Sequence, residues 1–320
     1  MKIFLTGSAG FIGSHICHAL LDRGDEVIGL DAFTPYYDPQ LKERRNARLE
    51  EREGFTLIRG DICDLATLEG AFDVLGSGSD TRVCHLAAQA GVRHSILQPA
   101  EFIQDNIAGF GLIIELCKVR EVGGLIYAST SSVYGDNKDF PLREDSPTDS
   151  QVSLYGMSKK ANELQASVYN NLFGVHSTGL RFFTVYGPWG RPDMALFLFT
   201  DAILRGHPMK IFGNGEMRRD FTYVDDIVSG FVAALDENLP LEVFNLGCGN
   251  TEELMDFVRL IEKSCGKEGE KEFLPMQQGD VVQTYADVSK AERVLGFKAK
   301  TTIDVGIPKF VEWYREYYGL

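Results

Sequence analysis

The sequence predicts an α/β protein, a doubly wound parallel sheet followed by a smaller C-terminal α/β lobe. Through the first half, short β-branched or apolar runs alternate with longer helical stretches, the pattern of strands joined by crossover helices. The first of these strands runs straight into a glycine-rich turn that opens a helix. After residue 185 the strands become sparser and glycine and proline denser ("YGPWGRPD", "FGNGE", "GCGN"), which marks the second lobe. The larger domain is expected over residues 1–182 plus about 222–247, and the lobe over about 183–221 plus 248–320. No internal repeat or low-complexity linker separates them, so the two are expected to pack closely.

In chain order the strands are "KIFLT", "EVIGL", "FTLIRG", "RVCHLA", "GGLIYAS" and "HSTGLRF". Helices are predicted between them, notably from about Phe102 to Arg120 and from Leu154 to Phe173. One interruption, "DPQLKERRNARLEERE" (residues 38–53), is charge-dense and reads as a solvated helix. The 320 residues suffice for a sizeable core. A net charge of −14, with no basic block to offset it, argues against nucleic acid as a partner. The six cysteines show neither a C-x-x-C pair nor a metal-ligand spacing; no metal site is expected, and the thiols fit a cytoplasmic protein. No run of about 18 apolar residues calls for a membrane, and the opening "MKIFLTG" reads as a strand rather than a leader.

"TGSAGFIGSH" places Gly7, Gly10 and Gly13, with Phe11 and Ile12 between them, where a strand turns into a helix. Glycines let the backbone approach a pyrophosphate, and the helix N-terminus offers amide donors and a favourable dipole. The second strand ends in Asp31, placed to accept the ribose hydroxyls of an adenosine and to repel a 2′-phosphate, which favours NAD over NADP. Asp61 and Ile62 ("GDIC") and Leu86, Ala87 and Ala88 ("HLAAQA") each lie just past a strand, on the sheet edge where such a ligand sits. The fifth strand ends in "ASTSSVYGD", bringing the hydroxyls of Thr130 and its serine neighbours to the same edge. In "SLYGMSKKANE", Tyr155 and Lys159 stand one helical turn apart. Residues four apart share a face on any helix, but an ammonium beside a phenol of reference pKa about 10 favours the phenolate and makes it a usable base.

The glycine loop, Asp31 and the Thr, Tyr and Lys together resemble the extended short-chain dehydrogenase/reductase superfamily, whose larger domain is of Rossmann type. "AAQAGVRHS", "VSLYGMSKKANE", "LRFFTVYGPWGRPDMALF", "GEMRRDFTYVDDIV" and "GDVVQTYADVSKA" resemble its nucleotide-sugar epimerase branch, most closely the UDP-glucuronate 4-epimerases. The resemblance implies Tyr155 as base, Lys159 as the cation that lowers its pKa and binds the nicotinamide ribose, and Thr130 as partner of the substrate O4. It implies Asn106 in the cofactor site. For the UDP end it implies Arg219 and Arg218 facing the diphosphate, with Arg93 and Asp280 beside the substrate. The implied reaction removes the O4 proton and transfers hydride from C4 to NAD; the 4-keto sugar turns over, and hydride returns to its other face. Ser131, Thr184 and Arg191 are the candidates for holding a substrate carboxylate. A homodimer through the two long helices of the larger domain is implied as well.

Which reaction follows the 4-keto stage depends on the loop after the fifth strand. Sugar 4,6-dehydratases resemble "TDEVYG" there and UDP-glucuronate decarboxylases "TSEVYG"; this chain has "TSSVYG", with no carboxylate for acid-base work at neighbouring carbons. UDP-glucose epimerases carry asparagine where Thr184 stands and often arginine where Gln277 stands, departures that fit the uronate branch. UDP-glucose, UDP-N-acetylglucosamine, decarboxylation and a non-catalytic NAD-binding sensor remain the alternatives.

Overall fold

The computed structural model describes residues 1–320. Six strands follow one another in the first 182 residues: β1 (Lys2–Thr6), β2 (Glu26–Asp31), β3 (Phe55–Arg59), β4 (Thr81–His85), β5 (Leu125–Thr130) and β6 (Ser177–Phe182). With a late strand, Leu241–Leu246, they form one seven-stranded sheet in the order Leu241–Leu246, β6, β5, β4, β1, β2, β3. Every neighbouring pair is parallel. Both faces are covered, so the strands are apolar almost throughout. Ile3 and Leu5 point into one core with the helices Phe11–Asp22 and Val224–Glu237, and Phe4 into the other with Leu65–Leu75 and Phe110–Val119. The chain winds outward from β1 to β3 and then returns to β4 on the far side of β1. The carboxyl ends of β1 and β4 therefore part into the crevice where doubly wound sheets bind ligands.

The helix read from Phe102 to Arg120 is present, but its first two turns, Phe102–Gly109, are π-wound before Phe110–Val119 continues as an α-helix. The helix Leu154–Phe173 has the predicted bounds; the Ser153 hydroxyl caps it by accepting from the Gly156 N–H at 3.0 Å. A further core lies around the helices Ala195–Arg205, Leu254–Cys265 and Ile303–Tyr318, with Phe221 and Phe257 stacked at 3.8 Å between centroids.

The charge-dense stretch departs from expectation. It forms the helix Pro39–Glu50, yet Leu41, Lys42, Arg45, Asn46 and Leu49 are buried, Arg45 completely. Leu41, Arg45 and Leu49 fall four apart on one face, so Arg45 enters the interior with the leucines. No helix is long and apolar enough to cross a membrane, and all six cysteines are unpaired.

Candidate active site

A cavity of about 640 Å³ opens at the carboxyl ends of the strands and extends to Lys210, Phe212, Arg219 and Asp280. At one end the turn after β1 approaches the segment after β4. Gly7 has φ +77°, and a Cβ there would lie 2.8 Å from the Ala87 nitrogen; one on Gly13 would lie 2.1 Å from the Gly7 oxygen. Glycine is the residue that fits both places, and the turn leads into the helix Phe11–Asp22. Asp31 is buried and accepts from the Ala9 N–H at 3.0 Å and the Phe33 N–H at 2.8 Å. Gly10, Phe11, Ile12, Asp61, Ile62, Leu86, Ala87 and Ala88 line the same end. Lys42, which sequence reasoning left aside, lines it too, and donates to the Thr34 carbonyl at 3.1 Å and hydroxyl at 3.0 Å.

Thr130, Ser131, Tyr155, Lys159, Thr184 and Arg191 share the middle of the cavity. Thr130 ends β5, and its hydroxyl accepts from the Ser132 N–H at 3.2 Å. The turn after it rests on a buried polar network. Glu163, two helical turns beyond Tyr155, accepts from Ser129 Oγ and from Arg181 Nε and Nη2, each at 2.8 Å. Arg181 Nη1 donates to the Tyr134 hydroxyl at 2.9 Å, which donates to Asn245 Oδ1 at 2.6 Å. The network ties the loop, the Tyr155 helix, β6 and the strand Leu241–Leu246 together. Its members lie too far apart in sequence for spacing to have revealed them. Gly156 lets that helix close on the loop, since a Cβ there would stand 2.5 Å from the Ser132 oxygen.

Lys159 is buried, its Nζ meets no protein acceptor, and burial pushes its pKa down to about 8. Burial also raises the Tyr155 pKa, while the Arg191 guanidinium and the Thr130 hydroxyl lower it. Arg191 is thus a cation beside the phenol that the sequence reading placed only at the substrate carboxylate, and burial outweighs its effect. Arg191 is itself bound side-on by Asp193, Nε to Oδ1 at 3.0 Å and Nη2 to Oδ2 at 2.5 Å.

Two predicted residues do not reach the cavity. Asn106 is buried behind it, donating to the Gln89 carbonyl and to Ser158 Oγ, both at 2.9 Å, and so supports the Tyr155 helix from outside. Arg218 and Arg219 form one short strand, on which adjacent side chains point opposite ways. Arg219 lines the cavity, held by the Val281 carbonyl at 2.7 Å and the Val282 carbonyl at 2.9 Å, whereas Arg218 is exposed. Arg93 and Asp280 line the outer end as an ion pair at 3.0 Å.

The family profile described as "NAD dependent epimerase/dehydratase family" matches residues 3–247. UDP-glucuronate 4-epimerase 4 of Arabidopsis thaliana is 46% identical over 337 residues, covering 100% of this chain and 76% of the relative. A probable UDP-glucuronate 4-epimerase of Rhizobium meliloti is 42% identical, covering 99% and 98%. The crystal structure of UDP-glucuronic acid 4-epimerase from Bacillus cereus, in complex with UDP-glucuronic acid and NAD, superposes with a TM-score of 0.92 at 37% identity, covering 99% of this chain and 100% of that one. By sequence and by fold, the chain belongs to the NAD dependent epimerase/dehydratase family.

Proposed function

We propose that this protein is an NAD-dependent isomerase that interconverts UDP-glucuronate and UDP-galacturonate at C4. The observation that carries this function is the convergence of Thr130, Tyr155, Lys159 and Arg191 on one stretch of wall beside the glycine turn. The residues fit NAD on two counts. The turn leaves no room for a Cβ at Gly7 or Gly13, and the buried Lys159 ammonium has no protein partner. Gly7, Gly10, Gly13 and the helix N-terminus would hold the pyrophosphate, Asp31 the adenosine ribose, and Lys159 the nicotinamide ribose. Bound NAD supplies reversible hydride acceptance at C4.

The protein's own part is proton handling and orientation. Tyr155 takes the O4 proton as C4 becomes a carbonyl and gives it back when the alcohol reforms, with the Thr130 hydroxyl hydrogen-bonded to the same oxygen. Arg219 and Arg93 face the diphosphate. Ser131, Thr184 and Arg191 hold the C6 carboxylate, Arg191 through the guanidinium edge that Asp193 leaves free. Ser131 and Ser132 stand where dehydratases carry an Asp-Glu pair, and Ser132 where decarboxylases carry a Glu, so the loop supplies no carboxylate for elimination at C5. We read the larger domain as the NAD-binding part and the lobe as the UDP-sugar part. We further read the protein as cytoplasmic, on its unpaired cysteines, and as a homodimer. The dimer reading rests on Ile103, Leu164, Val168 and Leu172, exposed on the outer faces of the two long helices.

Product NMR tests the function. Purified protein given UDP-glucuronate and NAD alone is expected to form UDP-galacturonate reversibly, with almost no UDP-pentose. Brisk turnover of UDP-glucose with none of the uronate would overturn it.

A further inference from the structure

The helix Pro39–Glu50 and the turn before it do no chemistry, yet they carry a fully buried arginine and a tyrosine that reaches the sugar end of the cavity. Both grip the loop 187–193, which carries Arg191. We propose that residues 36–45 are a brace that sets product specificity. Tyr36 acts through Asp193, and Arg45 through the carbonyls of Trp189 and Gly190, so that Arg191 meets the substrate carboxylate in one orientation. The proposal rests on the uronate function above and names positioning residues for it.

The loop needs holding. Trp189 has φ +60°, a left-handed conformation that a bulky side chain keeps only where its surroundings impose it. Arg45 imposes it with its whole donor set. Nε and Nη2 donate to the Trp189 carbonyl at 3.1 and 2.6 Å, and Nη2 donates to the Gly190 carbonyl at 3.2 Å. Nη1 donates to the Tyr37 hydroxyl at 2.7 Å and to the Ala9 carbonyl, in the glycine turn, at 3.2 Å. The five N–H groups of a guanidinium are thereby used, and no carboxylate pairs with the charge. One side chain thus joins the cofactor turn to the sugar loop.

Tyr36 completes the hold. Its hydroxyl donates to Asp193 Oδ2 at 3.0 Å, and Asp193 in turn takes Arg191 by Nε and Nη2. Burial and the Asp193 carboxylate push the Tyr36 pKa up to about 12, so the phenol stays a donor through neutral pH. A guanidinium engaged side-on in this way keeps one unengaged edge, Nη1 with the second hydrogen of Nη2, whose fork matches a carboxylate. Arg191 lines the cavity, so that edge is available to the sugar.

Orientation decides the product. After oxidation at C4 the carboxylate belongs to a β-keto acid. If the C5–C6 bond stands perpendicular to the carbonyl plane, it breaks: its electron pair passes into the C4 carbonyl as an enolate, carbon dioxide leaves, and C5 then takes a proton. The result is a 4-keto pentose, and return of the hydride to C4 with a proton to O4 gives the UDP-pentose. A carboxylate pinned by a fixed arginine keeps the bond out of that geometry. A loosened loop lets the sugar sample it.

The test measures the ratio of UDP-pentose to UDP-galacturonate by NMR for wild type, Tyr36→Phe, Arg45→Lys and Arg45→Met, each checked for folding by thermal melting. Loss of active enzyme lowers both products together, whereas a loosened brace changes their ratio. The ratio is expected to rise by roughly tenfold to a hundredfold in Tyr36→Phe and Arg45→Lys, the scale of effect that small misplacements of a reacting group produce. Should the Arg45 variants fail to fold, Tyr36→Phe decides alone, because it removes only a hydroxyl. Wild-type epimerisation with an unchanged ratio in folded Tyr36→Phe overturns the brace and leaves the function standing. No wild-type turnover of the uronate overturns both.

Discussion

At the scale of single residues, Tyr155 depends on charges that arrive from distant parts of the chain. Burial raises its pKa, and the Arg191 guanidinium and the Thr130 hydroxyl offset this in part. Tyr155→Phe keeps the ring and removes the proton acceptor, so turnover is expected to fall by about 10² to 10⁴ with the fold intact, measured by kcat and circular dichroism. Arg191→Ala makes a different prediction. The phenolate is the active form, and removing a nearby cation disfavours an anion, so the Tyr155 pKa rises. The ascending limb of the kcat/KM profile is expected to move to higher pH, whatever happens to its height. A limb that stays in place would separate Arg191 from the phenol.

At the scale of elements, the helices Phe102–Val119 and Leu154–Phe173 lie side by side, joined by Asn162 Nδ2 donating to the Asn106 carbonyl at 2.6 Å. Leu164, Val168 and Leu172 repeat every fourth residue on the outer face and are 57%, 50% and 68% exposed. The proposed dimer would bury that stripe under a second copy; Leu164→Glu with Val168→Glu would then place unpaired charges in the interface and is expected to give a monomer by analytical ultracentrifugation. A monomeric wild type would refute the dimer instead. Apolar periodicity and glycine punctuation made these helices, the six early strands and the cofactor turn legible from the sequence. Side-chain direction was less so: Arg218 and Arg219 look equivalent until a strand sends them opposite ways. The stretch 38–53 misled because its charges suggest water, whereas Arg45 shares a face with Leu41 and Leu49 and finds its acceptors 144 and 145 residues away. The Glu163–Arg181 pair was hidden for a similar reason, its two members meeting only once the Tyr155 helix packs beside β6.

For the whole molecule, the balance of buried titratable groups predicts how stability responds to acid. Burial holds three imidazoles below their ordinary pKa of 6.5: His15 and His18 at about 4, and His85 at about 3. His85 stands at the end of β4 with Nδ1 2.9 Å from the Thr6 hydroxyl, and the Lys159 cation lowers it further. Between about pH 6.5 and 4 the unfolded chain binds protons at these positions and the folded chain does not, so stability falls as pH falls through that window. Asp220 works in the opposite sense. It accepts from the N–H groups of Cys248, Gly249 and Ala286 and from the Thr222 hydroxyl, yet burial raises its pKa from 3.8 to about 6, so the folded state gains its proton first. Burial raises Asp105 and Asp225 in the same sense, but of these three carboxyls only Asp220 is moved far, and the three imidazoles outweigh them. Below about pH 4, Glu163 and Asp193, held low by Arg181 and Arg191, add a further loss as they protonate. Thermal melts are therefore expected to show a Tm that is level near neutrality and drops steadily from about pH 6.5 downward, and His85→Gln should flatten the drop by removing one of the three protons. A Tm that held or rose on acidification to pH 5 would mean that the imidazoles accept protons in the folded protein, against the burial the structure gives them.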